Sequence, residues 1–198
     1  SQKAAPAADA GPQPQEPMTA NNPTLPETLY NGMLYPLAPY GIRGALWYQG
    51  ESNAGRAVQY RYLLSDMIKD WRNIFRQGDF PFYIVQLANF MKADENQFDS
   101  AWAELRDAQD IVGQEKNCGT ATIIDVGDAG DIHPRNKRDV GERLARIALN
   151  KDYNQNIEWQ GPRLAKATFL GPIASIDLSH ATGLSTTDGK EPRGFAIA

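Results

Sequence analysis

Apolar and polar residues follow two alternating patterns along the middle of the chain. A short apolar run between glycines, at about 43–48, is typical of a buried strand. From 58 to 75 the apolar residues recur every three or four positions, which predicts an amphipathic helix with Leu63, Leu64 and Met67 on its inner face. A second apolar run at 82–87 follows a proline and predicts another buried strand.

The same alternation continues further along the chain. A second helix is predicted at about 100–114, with Asp99 or Ser100 as its cap. A third strand is predicted at 120–126 and a third helix at about 137–150. Strand and helix thus alternate three times, which predicts an α/β fold whose parallel sheet is covered by helices joined through right-handed crossovers.

The two ends of the chain differ from this middle part. Residues 1–28 are rich in Ala, Pro, Gln and Asn and contain six prolines, which predicts a disordered tail or linker. Order is expected from about 29, where a short apolar stripe precedes two further prolines. After 161 the segments are short and lack a helical period, so we divide the chain into 1–28, the α/β part at 29–160, and the start of a β-rich unit at 161–198.

Composition excludes several classes of function. A net charge of −4 and a pI near 5.2 argue against a nucleic-acid-binding face. No apolar run approaches the length of a membrane span, and the amino end lacks the plan of a signal peptide. The one cysteine, Cys118, leaves no internal disulfide and is expected to be a small apolar filler. Without a Cys/His cluster or a glycine-rich phosphate loop, we predict no metal and no cofactor.

Polar residues follow the first predicted strand directly. Ligands bind outside the carboxyl ends of the strands in open parallel sheets, so residues 49–53 are a candidate site. The carboxamide of Gln49 and the amide of Gly50 are the kind of donors that an oxyanion hole requires. Ser52 lacks the Gly-x-Ser-x-Gly elbow of a nucleophile, which favours a role in a turn or a helix cap.

A second candidate group follows the third predicted strand. His133 has the chemistry of a general base, and Asp131 could fix its tautomer. The residues alone also allow a plainer reading, in which Asp131 caps a turn and His133 is an ordinary loop residue. A third possibility pairs Glu51 with Asp131 as the two carboxylates of a glycosidase, although nothing in the sequence sets their separation.

Five segments in order resemble the sialate O-acetylesterase family of SGNH-type carbohydrate esterases. They are LYNGM (29–33), GALWYQGESNA (44–54), FPFYIVQLA (80–88), WAELRDAQ (102–109) and DIHPRNK (131–137). The resemblance extends over roughly 29–162, and the residues after it resemble the start of the β-rich region that follows the catalytic part. It implies a three-layer α/β/α, flavodoxin-like sheet that is incomplete on its amino-terminal side.

The resemblance also implies an activity, the removal of O-acetyl groups from sialic acid or a related acetylated sugar. It makes His133 the general base and Asp131 its orienting partner. The oxyanion and substrate-binding segment would contain Gln49, Gly50, Glu51 and Asn53. Within it the Gln49 side chain is the favoured donor and Asn53 the runner-up. Lys137 and Arg143, on the following helix, resemble structural positions.

The chain departs from the family at the nucleophile. The family's serine lies in a Gly-Gln-Ser-Asn-type motif upstream of 29, whereas before Ser52 this chain has only Ser1. We therefore expect a carboxyl-terminal part that is inactive alone and needs the amino-terminal portion of the same enzyme as its partner. The alternative is a non-catalytic glycan-binding module that retains the pocket. The resemblance also implies an extracytoplasmic location, either secreted or periplasmic.

Overall fold

The computed structural model describes residue 25, residues 27–93 and residues 99–195. The predicted tail at 1–28 therefore lies almost entirely outside the described residues. The chain divides into two units, residues 1–41 and residues 42–198. In the first unit a π-helical turn, Tyr30–Leu34, leads into a 3-10 turn, Tyr35–Leu37. Most side chains of the predicted apolar stripe are exposed there.

The second unit contains a three-stranded parallel sheet. Its strands β1 (Ala45–Trp47), β2 (Phe82–Val85) and β3 (Cys118–Ala121) lie in that order and pair in register. The connections run through helix α1 (Ala57–Phe75) and helix α2 (Ala101–Gly113), and helix α3 (Lys137–Lys151) follows β3. A 3-10 helix, Glu51–Arg56, joins β1 to α1. The predicted α/β fold with a parallel sheet is confirmed.

Helices cover both faces of this sheet. The rings of Trp47 and Phe82 lie on one face and make edge contacts with Trp71 of α1, at centroid distances of 5.9 and 5.8 Å. Tyr83 and Val85 point to the other face, because successive side chains of a strand alternate. They form a buried cluster with side chains of β3 and α3, chiefly Ala121, Val140, Leu144 and Ile147. The layers are therefore helix, sheet and helix, and each fully buried large side chain contributes about 1.5–3 kcal/mol.

The helices agree closely with their predicted limits. Ser100 rather than Asp99 caps α2, since its Oγ accepts a hydrogen bond of 3.2 Å from the backbone N–H of Ala103. In α1 the predicted inner face is correct at Leu64, which is buried, but wrong at Leu63, which is 53 % exposed. Leu63 lies beyond the edge of the stripe that meets the sheet, where helical geometry turns its side chain outward.

The third strand differs from its prediction at both ends. It occupies Cys118–Ala121, not 120–126, because the backbone bond from Gln86 N–H to Ala121 O (3.0 Å) is where the ladder with β2 stops. The chain then turns, with Val126 N–H donating to Ile123 O at 3.1 Å. Ile123 is fully buried in this turn, which is why the apolar run in the sequence is longer than the strand. The second strand likewise ends at Val85, two residues before its predicted limit.

Cys118 is fully buried at the start of β3, as expected for an apolar filler. Burial raises the pKa of its thiol, so the group is protonated at neutral pH. Beside it, the guanidinium of Arg72 donates to the carbonyl oxygens of Phe80, Lys116 and Asn117. Arg72 of α1 thus links, through hydrogen bonds, the backbone just before β2 to the backbone just before β3.

An antiparallel hairpin follows the α/β part. Its strands β4 (Arg163–Leu170) and β5 (Ile173–Ser179) contain the segments predicted at 165–170 and 173–178. Arg163 makes a bidentate ion pair with Asp110 of α2, with N–O distances of 2.8 and 2.5 Å. Such forked pairs hold two groups in one orientation, so the hairpin is fixed to α2 at its first residue.

Two glycines in helices provide a matched test of the packing between α2 and the sheet. A Cβ at Gly113 would lie 1.7 Å from Thr120 Oγ1 of β3, whereas a Cβ at Gly141 in α3 meets nothing within 4 Å. We expect Gly113→Ala to lower the free energy of unfolding by about 1–3 kcal/mol through overpacking. Gly141→Ala should raise it by about 0.5–1 kcal/mol because alanine favours helix. Urea denaturation measures both, and equal effects would contradict this packing.

Candidate active site

The chain leaves β1 through a turn that only glycine fits comfortably. Gly50 has φ +147° and ψ −11°, a conformation that side chains of L-residues rarely allow. A Cβ there would also lie 3.0 Å from Leu105 Cδ2 and 3.1 Å from Gln109 Nε2. The turn therefore rests directly against the inner face of α2, and its position is set by that contact.

Gln49, the favoured donor, is held by hydrogen bonds at both its side chain and its backbone. Its Nε2 donates to Asn53 Oδ1 at 2.9 Å, and its Oε1 lies 3.1 Å from the hydroxyl of Tyr60. Its backbone oxygen accepts from Gln109 Nε2 at 3.0 Å and lies 3.1 Å from the same hydroxyl. Because an amide nitrogen bears two hydrogens, Gln49 Nε2 keeps a second N–H after bonding to Asn53.

The rest of the segment is also internally bonded. The N–H of Gly50 donates to Glu51 Oε2 at 2.9 Å, and the N–H of Asn53 donates to Gly50 O at 2.8 Å. Both predicted donors, the Gln49 carboxamide and the Gly50 amide, thus have acceptors within the segment. Ser52 is exposed inside the 3-10 helix, and Gly50 rather than Ser52 stands at the cap position.

Two residues of this region, Tyr60 and Gln109, were not predicted as part of it. Both are buried, and burial raises the pKa of the Tyr60 phenol, so its hydroxyl remains protonated. Gln109 also accepts a hydrogen bond of 3.0 Å from Leu87 N–H. The available signal was its place in the sequence, since a carboxamide between Leu105 and Val112 occupies a core position of an amphipathic helix.

Asp131 and His133 lie together in the loop after β3. Asp131 Oδ1 accepts a hydrogen bond of 2.8 Å from the backbone N–H of His133, and it lies 3.8 Å from His133 Nδ1. The second distance is too long for a hydrogen bond. The side chain of His133 is 88 % exposed and that of Asp131 is 41 % exposed. Asp131 thus caps a turn, as the plainer reading has it, and also lies beside the imidazole.

The exit of β2 anchors the loop that bears this pair. Asn89 Oδ1 accepts from the N–H of Gly127 at 2.7 Å, and Met91 N–H donates to Ala129 O at 3.1 Å. Within the loop, Gly130 N–H donates to the side chain of Asp128 at 2.8 Å. These bonds limit the freedom of the backbone before the histidine.

Arg143 of α3 holds the first part of the same loop. Its guanidinium donates to Thr122 O at 2.6 Å and makes a bidentate pair with Asp125, at 2.5 and 2.6 Å. This arrangement agrees with the structural role that the sequence suggested for Arg143. Lys137 contacts the other segment instead, as its Nζ lies 4.5 Å from the centre of the Tyr48 ring.

The two candidate segments lie at the same end of the sheet, just past the carboxyl ends of β1 and β3. Tyr48 packs against the buried cluster between the sheet and α3. The Nζ of Lys137 lies over its ring, and Lys137 comes four residues after His133 in the chain. This contact places the exit of β1 beside the start of α3. Within the described part of the chain, no hydrogen bond or ion pair joins 49–53 to Asp131 or His133.

A separate cavity of about 900 Å³ lies along the outer edge of β3. Its lining includes Thr120, Arg146, Trp159 and Arg163, and it contains none of the six predicted site residues. In residues 27–93 and 99–195, no group of three His, Cys, Asp or Glu side chains is placed to bind a metal. No helix among the described residues is long and apolar enough to cross a membrane.

A parallel sheet with helices on both faces, and polar residues after the carboxyl ends of β1 and β3, define an α/β protein with a candidate site at that end of the sheet. The sequence profile of the carbohydrate esterase, sialic acid-specific acetylesterase family matches residues 15–150, more than half of the chain. The chain therefore belongs to this family.

Individual relatives agree with that assignment. The chain is 31 % identical over 175 residues to sialate O-acetylesterase of Mus musculus, covering 80 % of this chain and 32 % of the mouse protein. It is 29 % identical over 179 residues to the Homo sapiens enzyme, covering 82 % and 34 %. A carbohydrate acetylesterase from Xanthomonas citri superposes with a TM-score of 0.73 and 41 % identity, over 81 % of this chain and 38 % of that one. The chain thus spans about a third of the length of the relatives it matches.

The Arg143–Asp125 pair predicts how stability depends on pH. The hydrogen bond from Arg143 lowers the pKa of Asp125, so the pair stabilises the fold above the ordinary carboxyl pKa and loses this effect as the pH falls through the lowered one. Both groups are partly solvated, so Asp125→Asn should lower the free energy of unfolding by only about 0.5–1 kcal/mol at neutral pH. The loss should disappear in acid, as followed by urea denaturation.

The control is Asp66→Asn, which removes an exposed pair with Lys69 on α1 and should change stability little at any pH. If Asp125→Asn costs the same in neutral solution and in acid, the charge of Asp125 is not what holds the loop.

Proposed function

We propose that this chain is the carboxyl-terminal part of the catalytic domain of an esterase that hydrolyses acetyl esters of sialic acid or a related acetylated sugar. Family membership supports the reaction class. The observation that supports the site is the contact of Lys137 with the Tyr48 ring, because it brings the exit of β1 beside the loop of His133. An extracytoplasmic location, secreted or periplasmic, belongs to this proposal on the strength of the family resemblance.

His133 is the general base in this proposal. Its exposed imidazole is accessible to a nucleophile supplied from outside the chain. Asp131 Oδ1 lies 3.8 Å from Nδ1, outside hydrogen-bond range. Catalytic hydrogen bonds are often long without substrate and tighten when it binds, and in this proposal the pair closes in the same way. A bond at Nδ1 would leave Nε2 to accept the proton of the nucleophile.

The nucleophile is a serine in the amino-terminal portion of the enzyme. The position of β1 in the sheet supports this proposal. The side of β1 that faces away from β2 pairs with no other strand among the described residues. Leu46 on β1 is 64 % exposed, whereas its register partner Tyr83 on β2 is 3 % exposed. Parallel sheets are covered on both faces, so a further strand with its helix would complete the sheet at this edge.

The reaction then has two halves. The serine oxygen attacks the acetyl carbonyl while His133 accepts its proton, and the second N–H of Gln49 Nε2 donates to the developing oxyanion, with Asn53 as the runner-up donor. Collapse breaks the ester bond, and the departing sugar oxygen receives the proton from His133. Water, deprotonated by His133, then attacks the acetyl-serine; the bond from the acetyl carbon to the serine oxygen breaks, His133 returns the proton to that oxygen, and acetate leaves. Gly50 and Glu51 complete the wall on the oxyanion side.

The two histidines of the chain provide a matched test of the base. In the complete polypeptide, His133→Ala should lower kcat for p-nitrophenyl acetate by about 10³-fold or more, because the serine loses its proton acceptor. His180→Ala should leave kcat unchanged, since His180 pairs with Glu158 beside the hairpin. Release of acetate from an O-acetylated sialoside, measured in parallel, tests the substrate class.

An unchanged rate in His133→Ala would remove this residue from the mechanism. Binding of the sialoside without any release of acetate by the wild-type polypeptide would instead favour a glycan-binding module.

The oxyanion donor is tested by a pair of carboxamides. Gln49→Leu should lower kcat by about 10²–10³-fold with little change in KM, as for the loss of one oxyanion donor. Gln59→Leu, on the exposed side of α1, is the control and should retain the wild-type rate. If Gln49→Leu retains its rate while Asn53→Leu loses it, the donor is Asn53.

A further inference from the structure

One buried carboxamide joins the exits of two strands. Gln109 on α2 has no exposed surface. Its Oε1 accepts from the N–H of Leu87, just beyond β2, and its Nε2 donates to the carbonyl oxygen of Gln49, just beyond β1. Both distances are 3.0 Å. A single side chain thus makes one hydrogen bond to each of two neighbouring backbone segments after their ladder has ended.

A carboxamide is the group that this position requires. Where β1 and β2 separate, Leu87 N–H and Gln49 C=O can no longer bond to the ladder, and buried backbone groups need partners. A glutamine offers an acceptor and a donor at the two ends of one planar group, whereas a carboxylate offers no donor and leucine offers neither. Gln109 therefore satisfies both strand exits at once.

The same contact determines where the Gln49–Gly50 turn lies. A Cβ at Gly50 would lie 3.1 Å from Gln109 Nε2 and 3.0 Å from Leu105 Cδ2, so both side chains pack tightly against the turn. On its other side the Gln49 carbonyl lies 3.1 Å from the Tyr60 hydroxyl, which accepts a hydrogen bond from Trp47 Nε1 at 3.3 Å. The backbone before the candidate donors is thus held from two helices, α1 and α2.

We infer that Gln109 is a positioning residue of the esterase site: it sets the place of the Gln49 donor relative to the reacting ester. It acts through the Gln49 backbone and contacts no substrate. This inference rests on the function proposed above for Gln49. Gln109 bonds both to Gln49, just beyond β1, and to Leu87, just beyond the neighbouring strand β2.

The first experiment compares two carboxamides that both link β2 to α2. In the complete polypeptide, Gln109→Leu should lower kcat for p-nitrophenyl acetate by about 10²-fold, the effect of a small displacement of a catalytic group, with KM nearly unchanged. Gln86 donates to Arg106 O at 2.9 Å and does not touch the Gln49 turn. Gln86→Leu should therefore retain kcat. Equal kcat in both variants would overturn the inference, and the wild-type rate tests the proposed function independently.

The second experiment uses a carboxyl group as a switchable donor. In Gln109→Glu the ionised side chain cannot donate to Gln49 O, but the protonated one can, and burial raises the pKa of such a carboxyl. The ratio of variant to wild-type kcat should therefore rise as the pH is lowered, while the ratio for Gln109→Leu stays flat. A role in stability alone predicts the same flat ratio for both variants, and that result would overturn the positioning role.

The third measurement needs no catalysis and is made on the same complete polypeptide. Gln109→Leu should accelerate amide hydrogen exchange at Gly50 and Asn53 by about tenfold or more, while Ile84 within β2 remains protected. Unchanged exchange at Gly50 and Asn53 would overturn the inference even if activity were lost. If the complete wild-type polypeptide, with its amino-terminal portion, proves inactive, the proposed function fails, and exchange alone decides whether Gln109 positions the turn.

Discussion

The parallel register of β1, β2 and β3 is the constraint on which the rest of the structure depends. Trp47, Ile84 and Thr120 stand side by side across the three strands, so all three strands end at nearly the same level. The chain must therefore leave the sheet three times at the same end, where the carboxyl ends of the three strands lie side by side. Each exit exposes backbone groups that the ladder no longer satisfies, and these groups set the local chemistry.

Each helix provides one polar side chain that bonds to these backbone groups. Tyr60 of α1 and Gln109 of α2 reach the first exit, Gln109 also reaches the second, and Arg143 of α3 reaches the third. Each helix thus packs an apolar stripe against one face of the sheet and donates a hydrogen bond to the backbone just past the carboxyl end of a strand. Because an unpaired buried polar group costs about 1–3 kcal/mol, these few contacts matter as much as individual core residues.

The helices could be predicted within one residue at each end because amphipathic spacing follows burial directly. The limits of the third strand could not be predicted in this way. Ile123 is buried in a turn, and an apolar residue in the sequence indicates burial but does not distinguish a turn from a strand. The same limit applies to Leu63. Its spacing fits the stripe, but the width of the contact with the sheet is a property of the packed structure.

The candidate site was predictable as a set of polar residues after strands, but its hydrogen bonds were not. Gln49 and Gln109 are 60 residues apart in the chain, and only the packing of α2 against the sheet brings them together. The sequence likewise places Asp131 near His133 without revealing that the carboxylate bonds to the backbone N–H of the histidine. Residue type and order are visible in a sequence, whereas the partner of each polar atom depends on tertiary contacts.

Burial of Cys118 at the start of β3 has a chemical consequence. A thiol that is fully enclosed and kept protonated is a poor nucleophile toward disulfides and oxidants. As long as the helices on both faces cover the sheet, the Cys118 thiol is inaccessible and the folded chain does not form cross-links through cysteine. Disulfide-linked dimers would therefore form only from molecules in which the sheet had become exposed.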